Sequence, residues 1–212
     1  MIRIEFNRLR FLVVDDNAHM RRIVRQLLHG FGSREIYEAE DGADGLEAFT
    51  HHTPDIVITD WAMPIFDGVE LTRAIRQPGN NPNPFVPIIM LSGHSEKKRV
   101  LEARDAGVTE FLAKPIAAKA LYERILSVVL IPRPFIQTKS YFGPDRRRNV
   151  NTNYSGPERR KGKDDAKTIP VEPLDNRLVG RGRSRHEQEP PAGTTPQPQQ
   201  PPAPSAAASP TG

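Results

Sequence analysis

Cysteine is absent from the 212 residues. That excludes disulfides, thiol catalysis and thiolate zinc sites. Long apolar runs are missing too, and no stretch approaches the ~18 residues of a membrane span. Residues 1–10 mix charges with isolated apolar side chains and do not read as a signal peptide. A soluble cytoplasmic protein is the expectation. The C-terminal 50 residues hold almost nothing that forms a core, too little to offset the ordering entropy of a second ordinary domain. No apolar-periodic helix pair follows Leu130, so a helix-turn-helix output is not expected.

Proline and charge divide what is there. Of 21 prolines, 7 precede residue 132 and 14 lie from Pro132 onward. Residues 1–132 carry a net charge of −2, residues 133–163 of +7 and residues 164–212 of −1. The pI near 9.5 therefore belongs to a short basic segment on a slightly acidic body. The expected organisation is an N-terminal extension over 1–8 and a folded domain over 9–131. A basic segment over 132–163 and a polar, Pro/Gln/Ala-rich disordered tail over 164–212 follow.

Within the folded part, short apolar runs alternate with helix-period segments. Strands are expected at 11–14, 35–39, 55–59, 88–91 and 110–113. Met20, Ile23, Val24, Leu27, Leu28 and Phe31 recur at three and four residues, which makes one helix face after a cap at Asn17. Gly30 or Gly32 ends that helix. Further helices are expected at 42–52, 67–77, 95–106 and 117–130. Residues 78–87 form a Pro/Asn-rich loop. Five alternating pairs with continuously apolar strands predict a parallel, doubly wound α/β domain. Ligands bind such sheets at the carboxyl ends of the strands.

Four strand ends carry chemistry. The first ends in Asp15 and Asp16, the third in Asp60, the fourth in Ser92 and the fifth in Lys114. Three converging carboxylates repel unless a cation sits among them. A hard divalent ion with oxygen ligands suits them, Mg²⁺ being the natural choice and Mn²⁺ a substitute. Lys114 and Ser92 add donors for a phosphoryl group. The arrangement fits phosphoryl transfer by positioning and electrostatics, with Asp60 the central candidate nucleophile.

The segments FLVVDDN (11–17), DIVITDWAMPIFDG (55–68), IIMLSGH (88–94) and FLAKP (111–115) together resemble the receiver domain of bacterial two-component response regulators. The likeness covers roughly residues 8–130. It implies a flavodoxin-like five-stranded sheet of order 2-1-3-4-5 with five helices. It also implies a chemotaxis-regulator-like signalling protein that catalyses only its own phosphorylation and dephosphorylation. Asp60 then corresponds to the phosphoacceptor, and Asp15, Asp16 and the backbone carbonyl of Ala62 to the metal ligands. Ser92 matches the switch hydroxyl, Lys114 the phosphoryl-pairing lysine and Phe111 the aromatic switch. The Lys114–Pro115 bond is expected to be cis. The implied phosphodonor is a sensor histidine kinase or a histidine phosphotransfer protein, with a downstream protein effector as the output partner.

This chain also departs from the family pattern. Phe111 has no hydroxyl. Ala62 and His94 stand where the family tunes acyl-phosphate hydrolysis. The 77–87 loop is long, which is expected to alter only a surface connection. Trp61 is expected to be a partly exposed aromatic beside the site, and His51-His52 a pair that does not converge on a metal.

A repeat follows the domain: 141–148 (YFGPDRRR) matches 154–161 (YSGPERRK), offset by 13 residues. Tyr141, Arg146, Arg147, Tyr154, Arg159 and Arg160 are its candidate partner-binding residues, since basic triplets bind carboxylate or phosphate and aromatics stack. A docking peptide for an acidic protein is the favoured reading. An RNA- or DNA-contacting arm, a solvated linker and a segment folding back on the domain's own acidic face stay open. A nucleic-acid-binding regulator and a phosphate sink remain the alternative functions.

Overall fold

The computed structural model describes residues 4–79, 81–93, 96–147 and 166–174. Five parallel strands, β1 (Arg10–Val14), β2 (Glu35–Ala39), β3 (Ile56–Asp60), β4 (Ile88–Ser92) and β5 (Glu110–Ala113), lie in the order β2-β1-β3-β4-β5. Five helices connect and follow them: α1 (Ala18–Phe31), α2 (Gly42–His52), α3 (Gly68–Arg76), α4 (Lys97–Ala106) and α5 (Ala118–Leu130).

Strand alternation feeds two cores. Phe11, Val13, Ile56, Ile58, Ile89 and Leu91 pack with α1 and α5. Leu12, Val14, Val57 and Ile88 pack on the other face with Phe49, Leu71 and Ile75. Every residue of β3 and β4 is buried, which is why these strands read as unbroken apolar runs.

Local signals set the helix ends. Asn17 accepts the His19 and Met20 N–H groups at the start of α1. Asp67 and Glu70 form a capping box on α3. Gly32, at φ +103°, closes α1. The expected elements are all present with ends shifted by one or two residues. The instructive shift is in β3, which starts at Ile56 because Asp55 turns its carboxylate onto Arg10.

Both flanks of the domain do more than the sequence reading expects. Phe6, in the 3₁₀ turn Phe6–Arg8, is buried against Phe31 and Tyr122 with ring centroids 5.8 and 5.5 Å away. The supposed extension thus covers part of the core. After α5 the chain forms three short strands, β6 (Phe135–Gln137), β7 (Phe142–Pro144) and β8 (Lys167–Ile169), in an antiparallel sheet of order β7-β6-β8.

The long loop is the receptor for this small sheet. Phe85 meets Phe135 at 5.1 Å and Phe142 at 5.3 Å. Arg76 lies 5.1 Å over the Phe135 ring and donates to Pro84 O at 2.7 Å and Gly107 O at 3.0 Å. Burial pushes its guanidinium down to about 9, and it remains protonated at neutral pH. The 77–87 loop is therefore not only a surface connection, because its length brings Phe85 under β6.

The expected disordered tail over 164–212 is corrected for residues 166–174. β8 pairs with β6, and Leu174 is buried in the α1/α5 core. Isolated apolar residues in a polar stretch suffice when a waiting strand edge supplies the other half of the ladder. The rest of that tail lies outside the described residues.

The first repeat folds back on the domain. Tyr141 Oη donates to Pro144 O at 2.7 Å, and Arg146 stacks 4.0 Å over the Tyr141 ring while pairing with Asp105 at 3.4 Å. A Cβ on Gly143 would come within 3.0 Å of Gly107 Cα, so the glycine lets the motif seat on the cap of α4. Tyr141 and Arg146 are thus engaged within the chain, although Arg146 stays exposed, as Arg147 does. Tyr154, Arg159 and Arg160 fall outside the described residues.

The Tyr141 phenol supports a pH prediction. Burial raises its pKa above the usual value, and the Arg146 hydrogen bond and the nearby guanidinium charges only partly oppose this. A raised folded-state pKa means a contribution to stability that is present below the unfolded value of about 10 and lost as pH climbs through the higher folded value. Alkaline titration at 295 nm is expected to show one late phenol that Tyr141→Phe removes. A late step that survives the substitution refutes the assignment.

Candidate functional site

The carboxyl ends of the five strands gather the expected cluster. Asp60 is the last residue of β3, so its side chain stands at the sheet edge with its backbone still in the ladder. Asp15 follows β1, fully buried, and its N–H continues the β1–β2 pairing to Ala39 O at 3.3 Å. Asp16 is exposed beside it. One carboxylate oxygen from each of the three lies within 4.8 Å of the others.

Lys114 reaches in from the end of β5. Its Nζ is 2.8 Å from Asp60 Oδ1 and 3.0 Å from Asp15 Oδ2. Its own N–H donates to Ser92 O at 2.7 Å, which ties the lysine to the end of β4. The Lys114–Pro115 bond is cis, as the resemblance implies. Ser92 is buried on the strand next to Asp60. Ala62 is exposed at the head of the loop after Asp60. His94 lies outside the described residues.

The electrostatics follow from burial and charge. Burial, joined by the Asp15 charge, raises the Asp60 pKa, although Lys114 and the Trp61 N–H pull the other way. Burial opposes the charge on Lys114, but its hydrogen bonds to Asp60 and Asp15 and the charges of both carboxylates outweigh it and hold its pKa above the usual value. Three carboxylates against one ammonium leave about two negative charges uncompensated. An all-oxygen set with that charge fits Mg²⁺.

Two features of the site depart from the expectations of the sequence. Arg21, on the buried face of α1, donates to Asp15 O at 2.8 Å and pairs with Glu40 at 2.6 Å. It braces the Asp15 backbone from behind. The only signal was a basic residue within an otherwise apolar helix stripe. Trp61 is the second. It is 7% exposed, contrary to the expected partial exposure, because it packs with Val69, Met90 and Ala103 under α3 and α4. Phe111 meets it edge-on at 6.4 Å and is half-buried.

The response regulator receiver domain model matches residues 11–126. The chain is 34% identical over 117 residues to the chemotaxis protein CheY of Pseudomonas aeruginosa, spanning 55% of this chain and 93% of that protein. Vibrio cholerae CheY-3 is also 34% identical over 117 residues, spanning 55% of this chain and 88% of that protein.

Among solved structures, Vibrio cholerae CheY4 aligns with a TM-score of 0.53 at 29% identity, covering 57% of this chain and 98% of that one. A CheX–CheY–BeF₃–Mg²⁺ complex from Borrelia burgdorferi aligns at 0.52 and 26% identity, covering 57% of this chain and 88% of that one. Among the described residues no helix is long and apolar enough to cross a membrane. With the sheet order, the acidic triad over a lysine and a family model matched across more than half its length, the chain belongs to the response regulator receiver domain family and works in phosphorylation-based signalling.

Proposed function

We propose that Asp60 accepts a phosphoryl group from a phosphohistidine on a sensor kinase or phosphotransfer protein. The observation that carries this reading is Lys114 Nζ lying 2.8 Å from Asp60 Oδ1, within a triad of carboxylates spanning 4.8 Å. An Asp60 oxygen forms the P–O bond as the P–N bond to the donor imidazole breaks, and the imidazole leaves with the former bonding pair. Mg²⁺ held by Asp15, Asp16, Asp60 and the Ala62 carbonyl would neutralise charge on the transferring group. Lys114 then shifts its hydrogen bond from carboxylate to phosphoryl oxygen.

The new group brings about −1.5 to −2 charge to a buried site. Ser92, on the adjacent strand, supplies a hydroxyl to it, and Phe111 turns into the space this opens. Phe111 also lines a groove of about 300 Å³ between α4 and β5, together with Val100, Ala103 and Val108. Arg104, Arg124, Arg133 and Arg146 stand around the same groove. Two of these come from the basic segment, so the repeat and the switch share one surface. The output partner that fits is a protein segment with an apolar anchor and acidic flanks. Recognition of nucleic acid by the first repeat is less favoured, because the groove that Arg146 borders is lined by Val100, Ala103, Val108 and Phe111, which suit an apolar protein anchor.

Acetyl phosphate with Mg²⁺ is expected to label the purified protein on one site, and Asp60→Ala to abolish the label. Undiminished labelling of that variant would sink the assignment.

A further inference from the structure

A cleft of about 520 Å³ opens between the end of α3, the end of α4 and the turn joining β6 to β7. It lies at the edge where the parallel strands begin, and Asp60 and Lys114 stand at the opposite edge. The phosphoryl chemistry makes no use of it. One wall belongs to the receiver and the other to the C-terminal sheet.

The charge in its walls is not balanced. Arg76 is 3% exposed and belongs to the lining. Its N–H groups meet only neutral acceptors, Gly107 O, Pro84 O and the Thr109 hydroxyl, and its face meets the Phe135 ring. No carboxylate pairs with it among the described residues. Buried arginines are as a rule paired with an anion. Burial lowers its pKa, and only the Tyr141 oxygen acts against that. Holding Pro84 and Gly107 in place requires the donors of Arg76 and not its charge.

Arg73 lies one helical turn earlier on the same face of α3, exposed and in the same lining. It too pairs with no carboxylate among the described residues. A basic residue in a last helical turn commonly offsets the exposed carbonyls there. In α3 that task falls to Asn81, whose Nδ2 donates to Ala74 O at 2.6 Å and Ile75 O at 3.2 Å. Asp105 is the one carboxylate in the lining, and it is held by Arg104 at 3.0 Å and Arg146 at 3.4 Å. The remaining polar lining is uncharged and comes largely from Gln77, Gln137, Thr138 and Ser140.

We propose that this cleft binds a phosphate ester of nucleotide size, with its phosphate at Arg73 beside the buried Arg76 and its uncharged end among Gln77, Gln137, Thr138 and Ser140. Two guanidinium charges without a carboxylate match a dianionic phosphate better than a single carboxylate. The volume falls within the range of roughly 300–1,000 Å³ that holds small-molecule ligands. A bare phosphate ion would leave the amides and hydroxyls of the far wall unengaged. A ligand that touches both walls binds only the docked form of the C-terminal sheet, and so it stabilises that form. The proposal stands apart from the reading of Asp60 as phosphoacceptor.

The test is isothermal titration of the full chain at physiological salt with AMP, GMP, CMP, UMP, ribose 5-phosphate, inorganic phosphate and the four nucleosides. At least one ester is expected to bind about tenfold or more tightly than inorganic phosphate and than its own dephosphorylated form, the worth of a charge-assisted hydrogen bond. Arg73→Gln is expected to lose about tenfold or more of that affinity for the same reason. Lys119→Gln, which removes an equal charge from the exposed face of α5, is expected to bind as wild type. The bound ester is expected to slow amide exchange at 135–144. Acetyl phosphate is expected to label Arg73→Gln at the wild-type rate, which shows that the variant is folded.

Four results overturn the proposal. They are binding of none of these esters, equal affinity for esters and inorganic phosphate, affinity that Arg73→Gln leaves unchanged, and tighter binding of an RNA or DNA oligonucleotide than of any mononucleotide, which would make a nucleic-acid backbone the occupant. Failure of acetyl phosphate to label Asp60 in wild-type protein would refute the phosphoacceptor reading and leave this one standing.

Discussion

Gly68→Ala is expected to destabilise the domain by about 2–3 kcal/mol, the upper range of overpacking, and to abolish acetyl phosphate labelling. Gly68 is the first residue of α3, and its backbone lies directly against that of Asp60. A Cβ there would fall on the Asp60 carbonyl oxygen and sit 3.1 Å from the Asp60 carbonyl carbon and from Thr59 Oγ1. None of these atoms is the far end of a flexible side chain. Relief requires either the start of α3 or the end of β3 to move.

Both of those segments are pinned. β3 is paired on both sides, and Gly68 N–H and C=O are held by Trp61 O and the Thr72 hydroxyl. The displacement therefore passes to Asp60, whose carboxylate must stay within hydrogen-bond reach of Lys114. An error of 1 Å there is enough to lose most of the rate. Chemical denaturation and phosphorylation assays on the same preparation check both parts. A variant that labels at the wild-type rate would show that the α3 start has room the geometry denies it.

The site around Asp60 is legible in the sequence because of where its residues fall in the strands. Each site residue sits at or just past the end of an apolar strand, and strand ends in a parallel sheet share one edge. Asp15, Asp16, Asp60, Ser92 and Lys114 could therefore be placed together from order alone. Mg²⁺ followed from their chemistry. Arg21 was illegible because its role depends on a backbone carbonyl, which carries no sequence signature. The burial of Trp61 is illegible for a related reason. Its neighbours Val69, Met90 and Ala103 come from three different elements, and the contact exists only once α3 and α4 are laid on the sheet.

The C-terminal sheet was the largest feature the sequence reading did not foresee. Its strands are only three residues long, below the length at which alternation can be recognised. Its apolar residues are also too few for a core of their own. They become sufficient because Phe85, from the supposedly neutral loop, and Arg76, from the end of α3, provide the other half of the interface. Composition counts what a segment brings and cannot count what it will find.

Phe135→Ala tests this account and is expected to cost about 3–5 kcal/mol at the docked sheet. Phe135 is 3% exposed and touches the rings of Phe85 and Phe142. It is also the face over which the Arg76 guanidinium is stacked. Truncation removes the ring from the aromatic cluster and the favourable partner from a buried cation, an effect of about 1–2 kcal/mol in its own right.

A three-stranded sheet of three-residue strands has little stability of its own, so undocking rather than global unfolding is the cheaper response. Hydrogen exchange should then quicken sharply at 135–144 and 167–169 while amides of β1, β3 and β4 keep their protection. Phosphorylation should persist, because Arg76, Gly107 and Thr109 mark the edge where the strands begin, and Asp60 and Lys114 stand at the edge where they end. If protection over β1 and β3 falls in step with that over β6, the sheet and the receiver are a single cooperative unit, and the C-terminal segment counts as part of the receiver's own fold. If protection over β6 does not change, the aromatic contact is not what holds the sheet in place, and the arginine pairs of Arg133 with Glu110 and Arg146 with Asp105 must carry it.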